Sequence, residues 1–143
     1  MAEFQIFPDI RLIVGRADDI SKENSIEVSF CRSGICEYFI NGEYSYLTAN
    51  NCIIAVCDER SDCHTVCSAD YCGITLLIDS SYNSNAFSEL LDMPDILRNI
   101  QSCEQHIFTA DDNMQRLFSE IDDTSGTSML RIKVLELLML MGG

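Results

Sequence analysis

Tryptophan is absent from this 143-residue chain, and proline and histidine occur twice each. Two histidines leave little for a nucleophile–base pair or for a histidine-rich metal centre. Basic side chains are also scarce: nine Lys plus Arg, scattered singly, stand against 23 Asp plus Glu, for a formal charge of −14. That balance excludes the basic stripe that holds a phosphate backbone, so this stretch of chain is not expected to bind nucleic acid. No apolar run reaches the roughly 18 residues of a membrane span. The opening MAEFQIFPDIRLIVG has neither a charged leader with an apolar core nor a cleavage site. A soluble, cytoplasmic protein with no membrane partner is expected. G-x-S-x-G, G-x-x-x-x-G-K and G-x-G-x-x-G are all missing, so acyl transfer, phosphate cradling and dinucleotide binding lack sequence support. No catalytic residue, metal or cofactor is nominated, and an enzyme is not expected.

Cysteine, by contrast, is abundant, with eight at positions 31, 36, 52, 57, 63, 67, 72 and 103. In a cytosolic chain these read as reduced thiols rather than a disulfide framework. Cys31/Cys36, Cys52/Cys57 and Cys67/Cys72 are each five apart. Side chains alternate along a strand, so an odd spacing puts the two members of a pair on opposite faces.

Turn residues cut the first eighty positions into short strands. Phe4–Phe7 ends at Pro8 and Ile10–Val14 at Gly15, while 18–25 is polar and reads as a loop. From 26 to 32, Ile26, Val28 and Phe30 alternate with Glu27, Ser29 and Cys31, the period of a half-buried strand. Ser33-Gly34 turns the chain, and 35–40 returns. Asn41-Gly42 is a strong hairpin signal because both residues tolerate positive φ. Strands at 43–47, 52–57, 65–67 and 73–78 complete the series, with the polar stretch 58–64 as a loop. This spacing predicts an antiparallel sandwich or barrel.

After Asp79 the period changes. Segments 84–91 and 94–103 read as short helices, with Pro94 at a favoured first position, and 106–109 as a short extended piece. Thr109 or Asp111 is positioned to cap a helix through Ile121, with Met114, Leu117, Phe118 and Ile121 on one side. The last helix, LRIKVLELLMLM, is apolar on two faces. At about 100° per residue, Leu130, Val134, Leu137, Leu138 and Met141 form one stripe, and Ile132, Leu135 and Met139 a nearly opposite one. A surface helix has one apolar stripe. The first is therefore assigned to its own domain and the second, Ile132, Leu135 and Met139, to a dimer contact.

The phrases IEVSFCRSGICEYFINGEYSYLTANNCIIAV, YCGITLLID and FSEIDDTSGTSMLRIKVLELLMLM, in that order and spacing, resemble the N-terminal regulatory domain of AraC-family transcription regulators. The likeness runs from about Phe7 to Met141. It implies a mainly β, α+β protein: a cupin-like antiparallel barrel or jelly roll over 1–80 that binds an effector, then a helical region over 81–143 for dimerisation. It further implies a bacterial homodimer, an unidentified small-molecule effector, and DNA contact only through a C-terminal helix-turn-helix domain that lies outside this sequence.

Within that frame Glu27 stands where metal-binding cupins place their Glu, and His64 lies near a later ligand His. The His-x-His that should precede Glu27 has no counterpart in 18–25, which argues against metalloenzyme chemistry. The usual Pro-Gly-Asp turn is replaced by Ala49-Asn50-Asn51. If Ile26, Val28 and Phe30 pack outward, then Glu27, Ser29 and Cys31 face the lumen, with Tyr38, Tyr46 and His64 added from opposing strands. That set is nominated for effector binding, because such pockets join apolar walls to a few orienting polar groups. Two alternatives remain open. One is a free-standing cupin metalloenzyme, and the other a zinc or thiol sensor built from Cys57, Cys63, His64 and Cys67. A Cys31 or Cys72 nucleophile beside His64 is a weaker possibility.

Overall fold

The structure, a computed structural model, describes residues 2–7, 10–16, 24–40, 42–57, 63–79, 98, 106–124 and 126–142. Nine strands and two helices occur among them: β1 (Ala2–Phe7), β2 (Ile10–Val14), β3 (Ser25–Ser33), β4 (Cys36–Ile40), β5 (Glu43–Leu47), β6 (Asn51–Cys57), β7 (Cys63–Cys67), β8 (Cys72–Asp79), β9 (His106–Thr109), α1 (Asp112–Asp123) and α2 (Thr127–Gly142). The short helices expected at 84–91 and 94–103 fall outside the described residues, apart from Arg98, which is helical.

Six strands form one antiparallel sheet in the order β1-β2-β8-β3-β6-β9, and three form another in the order β5-β4-β7. This is the expected mostly antiparallel β architecture with C-terminal helices. Of the two expected forms, sandwich or barrel, the sheets follow the first: they are not closed, and among the described residues each keeps its own edges and no ladder joins the two. Alternation along a strand is the same in a barrel and in a pair of facing sheets, so the sequence pattern alone does not distinguish them. The hairpin between β4 and β5 carries Gly42 at φ 89°, as the Asn-Gly signal requires. Gly34 has φ 77° at the β3–β4 turn, where a Cβ would stand 2.7 Å from the Tyr71 backbone.

The central strands of the large sheet, β3, β6 and β8, are buried on both faces. Ile26, Val28 and Phe30 of β3, with Ile10 and Leu12 of β2, Cys52, Ile54 and Val56 of β6 and Ile74, Leu76 and Ile78 of β8, form one apolar cluster with the helices. Met114, Leu117, Phe118 and Ile121 of α1 and Leu130, Val134, Leu137 and Leu138 of α2 complete it. The Phe30 and Phe118 rings stack at 4.4 Å between centroids and 5° between planes. The other face of the sheet, through Cys31, Ile53 and Ala55, meets Cys36, Tyr38, Ile40, Leu47, Cys67 and Tyr71 in a second cluster.

Helix α1 begins where Asp111 accepts a hydrogen bond from the Met114 amide at 2.9 Å, which satisfies one of the donors a helix start leaves open. Ion pairs tie it to its surroundings. Arg32 at the end of β3 pairs with Asp122, and Lys133 of α2 reaches Glu120 at 2.9 Å. The Arg131 guanidinium of α2 donates to the Ile6 carbonyl at 2.8 Å, holding β1 against that helix. No helix among the described residues is long and apolar enough to cross a membrane.

Phe118 is fully buried in this layer. Phe118→Ala is expected to lower unfolding free energy by about 3–5 kcal/mol, from lost transfer energy plus the cavity left behind. Urea titration followed by far-UV circular dichroism measures it, and a loss under about 1 kcal/mol would contradict this packing.

Candidate functional site

Strand β3 turns Glu27 and Ser29 toward the small sheet, where they are 1% and 0% exposed. Across the ladders Glu27 lies between Ala55 and Leu77, and Ser29 between Ile53 and Thr75. From the facing sheet Tyr38 of β4 reaches across the interior, and its hydroxyl donates to Glu27 Oε2 at 2.5 Å. The Ser29 hydroxyl donates to the same oxygen at 2.5 Å and lies 2.8 Å from Thr75 Oγ1. A carboxylate and three hydroxyls thus form one connected polar group between apolar layers. Burial first, then the Glu27 charge, holds the Tyr38 phenol well above its ordinary range. Tyr38 therefore remains a donor throughout the physiological range.

Of the nominated effector set, the structure brings Glu27, Ser29 and Tyr38 together. Cys31 lies further along β3 in the same interior, its Sγ 3.3 Å from the Ser33 carbonyl and 3.5 Å from that of Gly34. Burial, ahead of the nearby Cys67 sulfur, pushes its thiol up to about 11. Tyr46 and His64 are elsewhere: both lie on the outward face of the small sheet, so they cannot share a pocket with Glu27. The reason is strand phase. Leu47 and Tyr38 point inward, and Tyr46 is paired with outward-facing Glu37 while His64 is paired with Phe39. On that outer face a shallow cavity of about 310 Å³ is lined by Glu37, Phe39, Tyr44, His64 and Val66. Phe39 lies 4.8 Å from Tyr44 and 6.1 Å from His64 between ring centroids. Tyr46 stands 57% exposed beside it, its phenol raised chiefly by the Glu37 carboxylate.

The same phase separates the residues of the zinc alternative. Cys63 and Cys67 point into the interior while His64 points out, so Cys57, Cys63, His64 and Cys67 do not converge. Among the described residues no group of three or more His, Cys, Asp or Glu is arranged to hold a metal ion. Nor does His64 join Glu27 as a metal-binding cupin would require, or approach Cys31 as a general base. The spacing of five behaves as expected within β6, where Cys52 faces the helices and Cys57 ends the strand beside Cys63. Cys31 and Cys36 differ: the turn at Gly34 resets the phase, and both enter the interior. There Cys36 lies opposite Cys67, with Sγ atoms 3.0 Å apart.

The sequence reading missed Thr75. Its signal is a single polar residue inside the apolar run Gly73–Ile78, meaningful only once β8 is placed beside β3 in the observed register.

No family model matches the chain, and no curated protein is significantly similar to it in sequence. Solved structures do match in fold. The AraC-like transcriptional activator CuxR superposes with a TM-score of 0.55 at 11% identity, over 96% of this chain and 54% of that one. ToxT from Vibrio cholerae O395, bound to (E)-4-(8-methylnaphthalen-1-yl)but-3-enoic acid, superposes with a TM-score of 0.50 at 10% identity, over 93% of this chain and 56% of that one. The chain spans about half the length of the structures it matches. These likenesses establish the fold alone: antiparallel sheets followed by helices, shared with part of the AraC-like activator CuxR and part of ToxT.

Tyr38→Phe removes one of the donors to a buried carboxylate oxygen. The expected loss is about 1–3 kcal/mol, or roughly 3–10 °C in Tm. Differential scanning calorimetry checks it, and an unchanged Tm would show that the interior bond does not bear on stability.

Proposed function

We propose that this chain is the regulatory part of an AraC-type transcription regulator, a non-enzymatic bacterial domain that senses a small molecule and dimerises. The observation that carries the reading is the fold likeness to CuxR over 96% of the chain. Residues 1–80 take the sensory role and 81–143 the dimerising and linking role. DNA contact belongs to a helix-turn-helix segment outside this sequence, since a charge of −14 repels phosphate.

The effector enters between the sheets and meets Glu27, Ser29, Tyr38 and Cys31. A closed carboxylate lined by hydroxyls favours a ligand rich in donors, an amine or a polyol. It disfavours a carboxylic acid such as the one bound to ToxT, because a carboxylate has no donor to offer the Glu27 oxygens. Since Glu27 and Tyr38 are 1% and 2% exposed, the ligand must part the Tyr38–Glu27 bond to bind. The change then has a short path outward. Glu27 and Ser29 alternate with Val28 and Phe30 on one strand, and Phe30 stacks on Phe118 of α1. Helix α2 in turn holds β1 through Arg131. A ligand biases this assembly only by its differential affinity for two arrangements.

For dimerisation the outer face of α2 is available. Ile132 and Met139 are 55% and 48% exposed, joined by Met129 and Leu140, while Leu135 is half-buried against its own core. Leu130, Val134, Leu137 and Leu138 are consumed inside. The expected contact is therefore Ile132 and Met139, with Leu135 at its margin.

Multi-angle light scattering at micromolar concentration is expected to give a dimer, and a strict monomer would overturn this part. Ile132→Asp or Met139→Asp should weaken the dimer tenfold or more in Kd, because each such side chain contributes roughly 1.5–3 kcal/mol when buried. In a thermal-shift screen, amines and polyols should raise Tm more than carboxylic acids. Stabilisation by acids alone would overturn the assigned ligand class.

A further inference from the structure

We propose that Cys57 and Cys63 form a peroxide-reactive dithiol site whose oxidation closes a disulfide between the two sheets. Their Sγ atoms lie 2.7 Å apart, near the bonded length of about 2.05 Å. Cys57 ends β6 in the large sheet, opposite Ser25 of β3. Cys63 opens β7 in the small sheet, opposite Ile40 of β4. Among the described residues no backbone ladder joins these sheets; the chain through 58–62 already links Cys57 to Cys63, and the bond closes that short segment into a tight ring at the seam between the layers.

Exposure assigns the two sulfurs different parts. Cys57 is 4% exposed, whereas Cys63 is only half-buried. Cys63 is the sulfur a small oxidant reaches, and Cys57 is the one held behind it. An accessible thiol beside a second thiol is the arrangement that stops oxidation at the disulfide. Cys36 and Cys67 provide the contrast. They are nearly as close, at 3.0 Å, but 1% and 6% exposed, with both sulfurs inside.

The chemistry balances with hydrogen peroxide as oxidant. The Cys63 thiolate attacks one peroxide oxygen; an S–O bond forms, the O–O bond breaks and hydroxide leaves, giving the sulfenic acid. The Cys57 sulfur then attacks the Cys63 sulfur. An S–S bond forms, the S–O bond breaks, and the departing hydroxide takes the Cys57 proton to become water. Overall, two thiols lose two electrons and two protons, and peroxide is reduced to two waters. Ser25, beside Cys57, is two residues from Glu27 on the same strand. The bond therefore opposes parting of the sheets over the interior carboxylate; this consequence rests on the effector reading, whereas the oxidation does not.

The test is oxidation of the whole chain with equimolar hydrogen peroxide, alkylation of the remaining thiols, and peptide mapping by mass spectrometry. Trypsin cuts after Arg60, between the two cysteines. A disulfide then holds the two peptides together; chymotrypsin cuts after Leu47 and Tyr71, leaving 48–60 with Cys52 and Cys57 and 61–71 with Cys63 and Cys67, free of Cys36 and Cys72, and fragmentation of the linked pair by tandem mass spectrometry identifies the bonded cysteines. The expected result is a linked Cys57–Cys63 pair, lost in Cys63→Ser and retained in Cys72→Ser, whose site is exposed. A bond mapped instead to Cys36–Cys67, or conversion of Cys63 to sulfinic acid without any disulfide, would overturn the proposal. The wild-type map decides the matter even where a variant folds poorly, and it is read without any effector.

Discussion

Strand β3 has no solvent face over most of its length, and the other layers are arranged around that constraint. Its even positions, Ile26, Val28 and Phe30, need an apolar cover and receive α1 and α2. Its odd positions include a carboxylate and a hydroxyl, so they need hydrogen-bonding partners from the opposite side. Those come from Thr75 on the neighbouring strand and from Tyr38 across the interior. Remove the small sheet and Glu27 loses Tyr38; remove the helices and Phe30 loses Phe118. One nine-residue strand thereby sets the position of both.

A buried carboxylate held by hydroxyls is a costly element for stability alone, since an apolar side chain of similar volume packs without desolvating a charge. Its position between sheets that share no ladder among the described residues gives it a second role. It supplies a directional bond between the sheets, alongside those from Arg16 to the Cys67 and Ser68 carbonyls, where apolar contacts by themselves are tolerant of sliding. The acidic surface and the acidic interior also differ in kind. The former is solvated and screened, while Glu27 acts at hydrogen-bond range.

Much of the fold was legible in the sequence because turn residues punctuate it. Asn41-Gly42, Ser33-Gly34 and Gly15 mark strand ends, and Asp111 marks the start of α1. The β3 phase was legible too, since apolar and polar residues alternate without exception from Ile26 to Cys31. The phases of β5 and β7 were not. Tyr44, Tyr46 and Leu47 put large side chains at both parities, and Val66 is an apolar residue 64% exposed. This is why Tyr46 and His64 read as interior and are found outside. Thr75 and the Cys36–Cys67 approach depend on pairing between strands far apart in sequence, which no local pattern encodes. In α2 the two stripes were legible, but Leu135 sits at the border of both, and Met129 and Leu140 extend the exposed one.

The bond from Arg131 to the Ile6 carbonyl spans 125 positions. During synthesis the first strand emerges long before the helix that holds it. The apolar face of β1, β2, β3 and β8 gains its cover in two steps, first from α1 and then from α2, and contacts this distant in sequence close slowly. Until both helices are in place the sheet presents an apolar face, the kind of surface through which incompletely folded chains associate.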